Sequence, residues 1–245
     1  MKVRKLVADD IPGALELSTV VGWNQTAEDW RLTLELSDEG CFGIECEGLL
    51  AATASLICYG RRLAWVGMVL TRPEFRRRGF ARRLLAEVLS LADNRGIQTV
   101  KLDATAQGQP LYESLGFIAE QAVERWSRDG AQAERAPVDR DRLREFLSRG
   151  NVTDEIALWR NGRVASYLGP CVSKSRESAR QLIAETLGTS GERWFWDLLP
   201  ENRNAAQLAA EFGFKVERPL VRMYRGEPLH VDQSRLYAIA GFEFG

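Results

Sequence analysis

Residues 76–81 of this 245-residue sequence read RRRGFA, a combination of residue types that could bind phosphate. The segment before them is typical of a β-strand and the segment after them is typical of a helix. The first N–H groups of a helix have no intrahelical acceptor and bind anions. Gly79 has no side chain to hold a phosphate away from them, Ala81 is nearly as small, and arginines add charge-assisted hydrogen bonds. The sequence therefore predicts a phosphate-binding loop.

The overall charge of the chain tests whether the arginine run belongs to a nucleic-acid-binding protein. Lys and Arg number 33 and Asp and Glu number 34, which gives a formal net charge of −1. Domains that bind nucleic acid usually have a basic excess. The arginine run is therefore local, and a nucleic-acid-binding module is the weakest hypothesis.

Two helices are predicted in the first 36 residues. Asp9 is in position to cap a helix that runs to about Val21. Thr26 stands three residues before Asp29, a weak capping signal for a second helix. These helices precede the first strands.

Five strands and two further helices are predicted between residues 41 and 128. Apolar residues from Ala81 to Ala92 recur at i, i+3, i+4, i+7, i+8 and i+11, which predicts an amphipathic helix of about fourteen residues. PLYESLGF predicts a short helix that Gly116 ends. The strand-like segments are residues 41–58, which hold two strands joined near Glu47-Gly48, and residues 61–70, 96–105 and 117–128.

The second half of the chain repeats part of the first. Residues 128–138 lose periodicity and contain Gly and Pro, which predicts a linker. WFWDLLPENRNAAQLAAEFGF aligns with TVKLDATAQGQPLYESLGF, because each reads as strand, Asp, loop, short helix and Gly-Phe. ASYLGPCVSKSRESARQLIAETL aligns with GMVLTRPEFRRRGFARRLLAEVL, which places Glu177 where the loop has Gly79. We therefore expect two related units, the second without a phosphate site.

The loop and its surroundings resemble the GNAT acetyltransferase superfamily. The family motif, Arg/Gln-x-x-Gly-x-Gly/Ala between the fourth strand and the third helix, is matched by Arg76, Gly79 and Ala81. VLTRPEF and LYESLGF are similar to neighbouring family motifs, and the resemblance covers about residues 2–127. GWNQ, GP, RMYRG and YAIAGFEFG resemble a subgroup that has a second, degenerate acetyltransferase-like domain.

This resemblance implies the fold class, the domains and the co-substrate. The class is α/β (α+β): tandem GNAT-like folds, each a mixed, mostly antiparallel sheet flanked by helices, complete in residues 1–130 and degenerate in residues 131–245. Acetyl-CoA would be held by backbone groups of the splayed fourth strand and by the loop. The implied residues are Val69, Leu70 and Thr71 for the pantetheine arm and Arg76, Arg77, Arg78, Gly79, Phe80 and Ala81 for the pyrophosphate. The family often has an asparagine after the next strand, and ATAQGQP lacks it.

Two residues are implied in the chemistry of acetyl transfer. Tyr112 lies four residues before Gly116, where the family often places a tyrosine that meets the leaving thiolate. A phenol (pKa about 10) is a weaker acid than a thiol (about 8.5), so hydrogen bonding is favoured over full proton transfer. The acceptor ammonium must lose a proton, and Asp103 is the first candidate base, followed by Glu45 and Glu47. The alternatives are a packing role for Tyr112 and simple solvation of the carboxylates.

The region between the first two helices is where the family builds acceptor specificity. Trp23, Asn24, Gln25 and Trp30 lie there, and two tryptophans would suit an aromatic cage for a cationic amine. The alternative is that both tryptophans belong to the core. Trp194 and Trp196 alternate along a strand and are expected in the core rather than in a pocket.

The leading hypothesis is an acetyl-CoA-dependent N-acetyltransferase that acts on a small-molecule amine. A protein or peptide N-acetyltransferase and a non-catalytic acetyl-CoA sensor are the alternatives. The sequence predicts no membrane-spanning segment and no secretory signal, so a cytoplasmic protein is expected. The four cysteines form no C-x-x-C pair and the single His230 is far from them in sequence, which predicts buried free thiols and no metal site. The oligomeric state is not predicted.

Overall fold

The chain folds into a mixed α/β structure that divides into two compact units. The computed structural model describes residues 2–130, 140–149, 155–188 and 193–245, so most of the expected linker at 128–138 lies outside the described residues. One unit runs to Leu102 and includes Phe244, and the other comprises residues 103–243 and Gly245. The domain limit expected after residue 130 stays a prediction.

The first unit contains a five-stranded sheet and three helices. Neighbouring strands from β1 to β4 are antiparallel, whereas β5 runs parallel to β4. The strand β1 was not expected, because a three-residue strand carries too little periodicity to be recognised. The elements are β1 (Val3–Lys5), α1 (Ile11–Val20), α2 (Ala27–Ser37), β2 (Cys41–Cys46), β3 (Leu49–Tyr59), β4 (Leu63–Thr71), α3 (Phe80–Asn94) and β5 (Thr99–Ala104).

The starts of α1 and α2 differ in how well the sequence predicts them. Thr26 and Asp29 form the capping box of α2, as expected. The expected cap at Asp9 is wrong, because α1 starts after Asp10, whose side chain does not cap the helix. The Asp10 carboxylate instead accepts hydrogen bonds from both terminal nitrogens of Arg4, at 2.8 and 2.6 Å. This arginine contact holds the pKa of Asp10 below its usual range.

The helix α3 follows the loop at residues 76–81 and is amphipathic, as its pattern predicts. Its apolar face is buried, and Phe80 at its start is buried as well. Burying such side chains stabilises the fold by about 1.5–3 kcal/mol each. This face fixes the direction of the helix that follows the loop. The buried residues are Phe80, Leu84, Leu85, Val88, Leu89 and Ala92.

The second unit contains a six-stranded sheet with the strand order β10-β6-β9-β8-β11, and β7 also pairs with β8. Strand β6 was expected as the last strand of the first domain, but it lies between β10 and β9. Pairing between strands distant in sequence is invisible to a local pattern. The elements are α4 (Gln109–Glu113), β6 (Ile118–Arg128), α5 (Arg140–Arg149), β7 (Ile156–Arg160), β8 (Ser166–Val172), α6 (Arg176–Leu187), β9 (Trp194–Leu198), α7 (Arg203–Glu211), β10 (Lys215–Gly226) and β11 (Leu236–Ala238).

Two tryptophans form the centre of the core of the second unit. Trp194 and Trp196 are both fully buried, so the expectation that they are core residues is confirmed. The indole N–H of Trp196 donates to the carbonyl oxygen of Tyr237 at 2.8 Å. The ring of Trp196 meets Phe214 edge-on, with 5.4 Å between the centroids.

Candidate active site

The loop that precedes α3 adopts a backbone conformation suited to an anion. Arg77 and Gly79 have φ angles of 62° and 78°, in the left-handed region. For Arg77 this conformation costs about 1–3 kcal/mol, an amount typical of functional loops. Left-handed loop residues gather backbone N–H groups into anion-binding concavities. Gly79 is the N-cap of α3, and having no side chain it makes no side-chain capping hydrogen bond to the first N–H groups of the helix.

The space in front of Gly79 is open. A Cβ atom built on Gly79 would have no heavy atom within 4 Å. A side chain at this position would therefore meet no protein neighbour, but it would occupy the space over the start of α3. The glycine is needed for its backbone angle and for the room that it leaves.

The three arginines of the loop are exposed and differ in their contacts. Arg76 donates through Nε to the carbonyl oxygen of Thr71 at 3.4 Å. The guanidinium of Arg78 lies 5.0 Å from the ring centroid of Phe75 and 3.5 Å from a carboxylate oxygen of Glu47. Exposed ion pairs of this kind contribute little stability, so these arginines can turn towards a bound anion at small cost.

Phe80 and Ala81 occupy different positions from the exposed arginines. The Phe80 side chain is buried and lies 6.4 Å, centroid to centroid, from the ring of Phe75. Its side chain therefore anchors the start of α3, and only its backbone N–H is suited to contact a phosphate. Ala81 is half-buried.

Strand β4 carries a bulge near its end. The register pairs Ser55 with Gly67 and Thr53 with Leu70, so two residues of β4 oppose the single residue Ala54. Met68, one of the two, has a φ angle of 48°. The buried hydroxyl of Thr53 donates to the carbonyl oxygen of Met68 at 2.7 Å. Bulges bend a strand and interrupt its pairing, often beside active sites.

The strand β4 separates from its parallel neighbour β5 after Trp65, ahead of this bulge. Among the described residues, β4 pairs with β5 only through Leu63, Ala64 and Trp65. On its other edge β4 remains paired with β3 as far as Thr71. The edge of Val69–Thr71 that would face β5 therefore has backbone groups without a strand partner. This is the splayed geometry expected for the pantetheine arm, and the binding role itself stays a prediction.

Tyr112 lies on α4 and is 8% exposed. Its ring meets Phe117 edge-on at 6.0 Å. Within the described chain its hydroxyl makes no hydrogen bond, and burial raises the pKa of Tyr112 above its ordinary value. The hydroxyl therefore keeps its proton at neutral pH and is available as a donor. A raised pKa makes full proton transfer to a thiolate still less favourable, which agrees with a hydrogen-bonding role.

Asp103 has a different environment from the one expected of a general base. Both oxygens of its buried carboxylate accept hydrogen bonds from Arg222, each at 2.9 Å. A base needs an oxygen that is free to take a proton from the acceptor, so this pairing argues against the expected role. The other candidates, Glu45 and Glu47, are exposed and contact Arg4 and Arg78. The Arg222 contact was missed because arginine and aspartate lie 119 residues apart.

The four residues expected to bind the acceptor divide into two kinds. Trp30 is fully buried in the core of the first unit, and its indole N–H donates to the Ser18 hydroxyl at 3.2 Å. It therefore fits the core alternative. Trp23 is half-buried against the same core. Asn24 and Gln25 are 8% and 7% exposed, and the buried Oε1 of Gln25 accepts no hydrogen bond in the described chain.

The equivalent loop in the second unit has a different construction. Only three residues separate β8 from α6, and none of them has a positive φ angle. The carboxylate of Glu155 accepts hydrogen bonds there from the Ser173 hydroxyl at 2.6 Å and from the N–H of Lys174 at 2.7 Å. Glu177 is exposed in the first turn of α6. The carboxylate that occupies the turn before α6 is thus that of Glu155 and not that of Glu177. No sequence motif indicated Glu155.

Other chemically active side chains of the described residues are isolated. Cys41, Cys46 and Cys171 are buried free thiols as expected, whereas Cys58 is half-buried. Burial raises the pKa of Cys41 and of Cys171 to about 12. No group of three or more His, Cys, Asp or Glu side chains in the described residues could hold a metal ion. The described helices are all too short or too polar to cross a membrane. His230 is exposed.

Two family models match the sequence, one in each half. Residues 13–117 match the model described as "Acetyltransferase (GNAT) family", and residues 152–238 match the model described as "Acetyltransferase (GNAT) domain". Together the two matches take in more than half of the chain.

Full-length relatives share both halves. The uncharacterized N-acetyltransferase YitH of Bacillus subtilis (strain 168) is 24% identical over 279 aligned positions, which span 98% of this chain and 97% of YitH. A crystal structure from Pyrococcus horikoshii covers 100% of this chain and 95% of its own, with 18% identity and a TM-score of 0.82. A GCN5-related N-acetyltransferase from Sphaerobacter thermophilus covers 96% and 98%, with 16% identity and a TM-score of 0.66.

Proposed function

From the premise that this chain belongs to the GNAT acetyltransferase superfamily and is an acyltransferase with two GNAT-like domains, we propose that it transfers acetyl from acetyl-CoA to a small-molecule amine. The observation that carries the choice of co-substrate is the loop at residues 76–81. Its left-handed residues, its open glycine and a helix N-cap without a side chain suit a diphosphate. The three exposed arginines add positive charge at its rim.

The proposed reaction is direct attack of the amine on the thioester. The nitrogen forms a bond to the carbonyl carbon, the carbon–sulfur bond breaks to release CoA as a thiolate, and the proton that the amine loses passes to solvent water. The free edge of Val69–Thr71 would hold the pantetheine arm, and the Tyr112 hydroxyl would donate a hydrogen bond to the departing sulfur. Holding thioester and amine together can supply about 7–11 kcal/mol, so few catalytic side chains are needed.

The buried amide of Gln25 supports an acceptor that donates an N–H hydrogen bond. A buried oxygen without a donor is costly, and an N–H of a bound ligand would satisfy it. Asn24 offers a second buried amide beside it, and the half-buried Trp23 offers an aromatic surface for a cationic amine. A peptide terminus remains the alternative acceptor, because it too carries an amine.

Titration with acetyl-CoA by calorimetry tests the co-substrate. Gly79→Glu should weaken binding by at least about tenfold, because the carboxylate lies in the anion's space and repels it. Gly60→Glu is the matched control, since Gly60 is also left-handed (φ 69°) with nothing within 4 Å of a built Cβ. Equal affinities for the two variants, both folded by circular dichroism, would contradict the assignment.

Release of CoA in the presence of an amine panel tests the acceptor. The panel includes small mono- and polyamines, amino acids and peptides with free N-termini. Turnover with a small amine supports the proposal, whereas turnover with peptides alone favours the protein or peptide acetyltransferase. Tight acetyl-CoA binding without turnover on any amine would favour the sensor.

A further inference from the structure

We propose that Thr53 is a positioning residue for acyl transfer, because its hydroxyl holds the bulge that sets the orientation of the free edge of β4 at Val69–Thr71. The inference rests on the proposed function, in which that edge holds the pantetheine arm of acetyl-CoA. Thr53 itself contacts no co-substrate in this scheme. It acts through Met68.

The contact between Thr53 and Met68 is local and direct. Thr53 is fully buried on β3, and its hydroxyl donates to the carbonyl oxygen of Met68 at 2.7 Å. Met68 is the residue of β4 with a left-handed backbone, at a φ angle of 48°. An unpaired buried carbonyl is unfavourable, so this hydrogen bond stabilises the left-handed conformation against a regular strand.

The neighbouring hydroxyl shows that burial alone does not account for this hydrogen bond. Ser55 lies two residues along the same strand and is also fully buried, yet its hydroxyl makes no hydrogen bond in the described chain. The register shift of β4 lies between the partners of Thr53 and Ser55. Of the two buried hydroxyls, only that of Thr53 donates a hydrogen bond to a residue of the bulge.

The bulge connects Thr53 to the free edge of β4. One extra residue in a strand reverses which face of the sheet each following side chain points to, and it turns the backbone N–H and C=O groups accordingly. If Met68 returned to a regular conformation, the backbone groups of Val69–Thr71 would be displaced from the edge that is free of β5. Thr53 therefore determines where these groups point, without touching the ligand.

The test compares three variants of the whole protein. Thr53→Val removes the hydroxyl with little change of shape, and Thr53→Ser retains the hydroxyl. Thr33→Val is the matched control, because Thr33 is fully buried in α2 of the same unit and donates to the carbonyl oxygen of Asp29 at 2.8 Å. Binding of acetyl-CoA is measured by calorimetry, and hydrogen exchange is measured for peptides that cover residues 66–71.

Thr53→Val should raise the dissociation constant of acetyl-CoA by about tenfold or more, whereas Thr53→Ser and Thr33→Val should stay within about threefold of wild type. Exchange in residues 66–71 should change for Thr53→Val alone, which reports on the bulge without any ligand. Unchanged binding and exchange in Thr53→Val would overturn the inference while wild-type binding upholds the proposed function. Equal losses in Thr53→Val and Thr33→Val would also overturn it. Failure of wild type to bind acetyl-CoA would contradict the proposed function and the proposed role in acyl transfer.

Discussion

Tyr112 combines a packed ring with a hydroxyl that has no hydrogen-bond partner in the described chain. The ring is held edge-on against Phe117, and burial raises the pKa of the phenol. A group in this state donates a hydrogen bond readily and gives up its proton reluctantly. It can therefore stabilise charge that develops on a leaving sulfur without becoming a phenolate.

Tyr112→Phe should lower kcat by about a hundredfold, because the developing thiolate loses its hydrogen bond, while the affinity for acetyl-CoA stays near that of wild type. Steady-state kinetics and calorimetry measure the two quantities separately. Tyr59→Phe is a suitable control, since the Tyr59 hydroxyl donates to the carbonyl oxygen of Phe244 at 2.6 Å and has no proposed catalytic role. If Tyr112→Phe retains the kcat of wild type, the hydroxyl has no catalytic role and Tyr112 only packs.

At the scale of elements, β5 and β9 occupy the same place in the two aligned halves of the sequence. Each carries an aspartate near its end that forms an ion pair with an arginine. Asp103 at the end of β5 pairs with Arg222 of β10, and Asp197 of β9 pairs with Arg125 of β6. The guanidinium of Arg125 also lies between the rings of Phe195 and Phe242, at 4.6 and 4.5 Å from their centroids. The shared pattern favours pairing between strands over proton transfer as the role of Asp103.

Asp103→Asn and Asp197→Asn should therefore behave alike. Each leaves a buried guanidinium without its carboxylate, which should lower the free energy of unfolding by about 3–5 kcal/mol. Urea denaturation measures this loss, and turnover is then compared for the fraction that remains folded. If Asp103 is instead the general base, Asp103→Asn will lose turnover and alter the pH–rate profile, whereas Asp197→Asn will not. That outcome would contradict a purely structural role for Asp103.

At the scale of the whole molecule, two related units carry one predicted acetyl-CoA site. The loop of the first unit has left-handed residues, and its helix N-cap is a glycine without a side chain. In the second unit, Ser175 caps α6 and Glu155 already accepts the hydrogen bonds that the turn before the helix offers. Contacts to Ser173 and Lys174 hold the pKa of Glu155 below its usual range, so its negative charge persists at neutral pH.

Calorimetric titration of the whole protein should therefore give one acetyl-CoA per chain. The Glu155 carboxylate competes with an anion for the same donors and repels it, and the loop lacks the left-handed glycine that makes room for a phosphate. Glu155→Gln keeps the shape and removes the charge, and we expect its stoichiometry to stay at one. A stoichiometry of two in wild type would contradict the prediction.

The sequence by itself predicted α2, the buried face of α3 and the loop that precedes α3. The i, i+3, i+4 pattern from Ala81 to Ala92 predicted the buried face of α3, because a helix places such residues on one side. Thr26 and Asp29 predicted the start of α2, because capping acts within one turn. Gly79 beside the arginines predicted the anion loop, because backbone freedom and local charge are properties of adjacent residues.

Only the tertiary structure decided which distant groups meet. Arg222 reaches Asp103 across 119 residues, Arg4 donates to the Asp10 carboxylate, and Glu155 accepts hydrogen bonds in the turn before α6. The position of β6 between β10 and β9 and the contact of Thr53 with Met68 have the same origin. Such contacts depend on strand register and on which chain segments pack together. No spacing within a single segment encodes them, because each requires two segments to be placed in three dimensions.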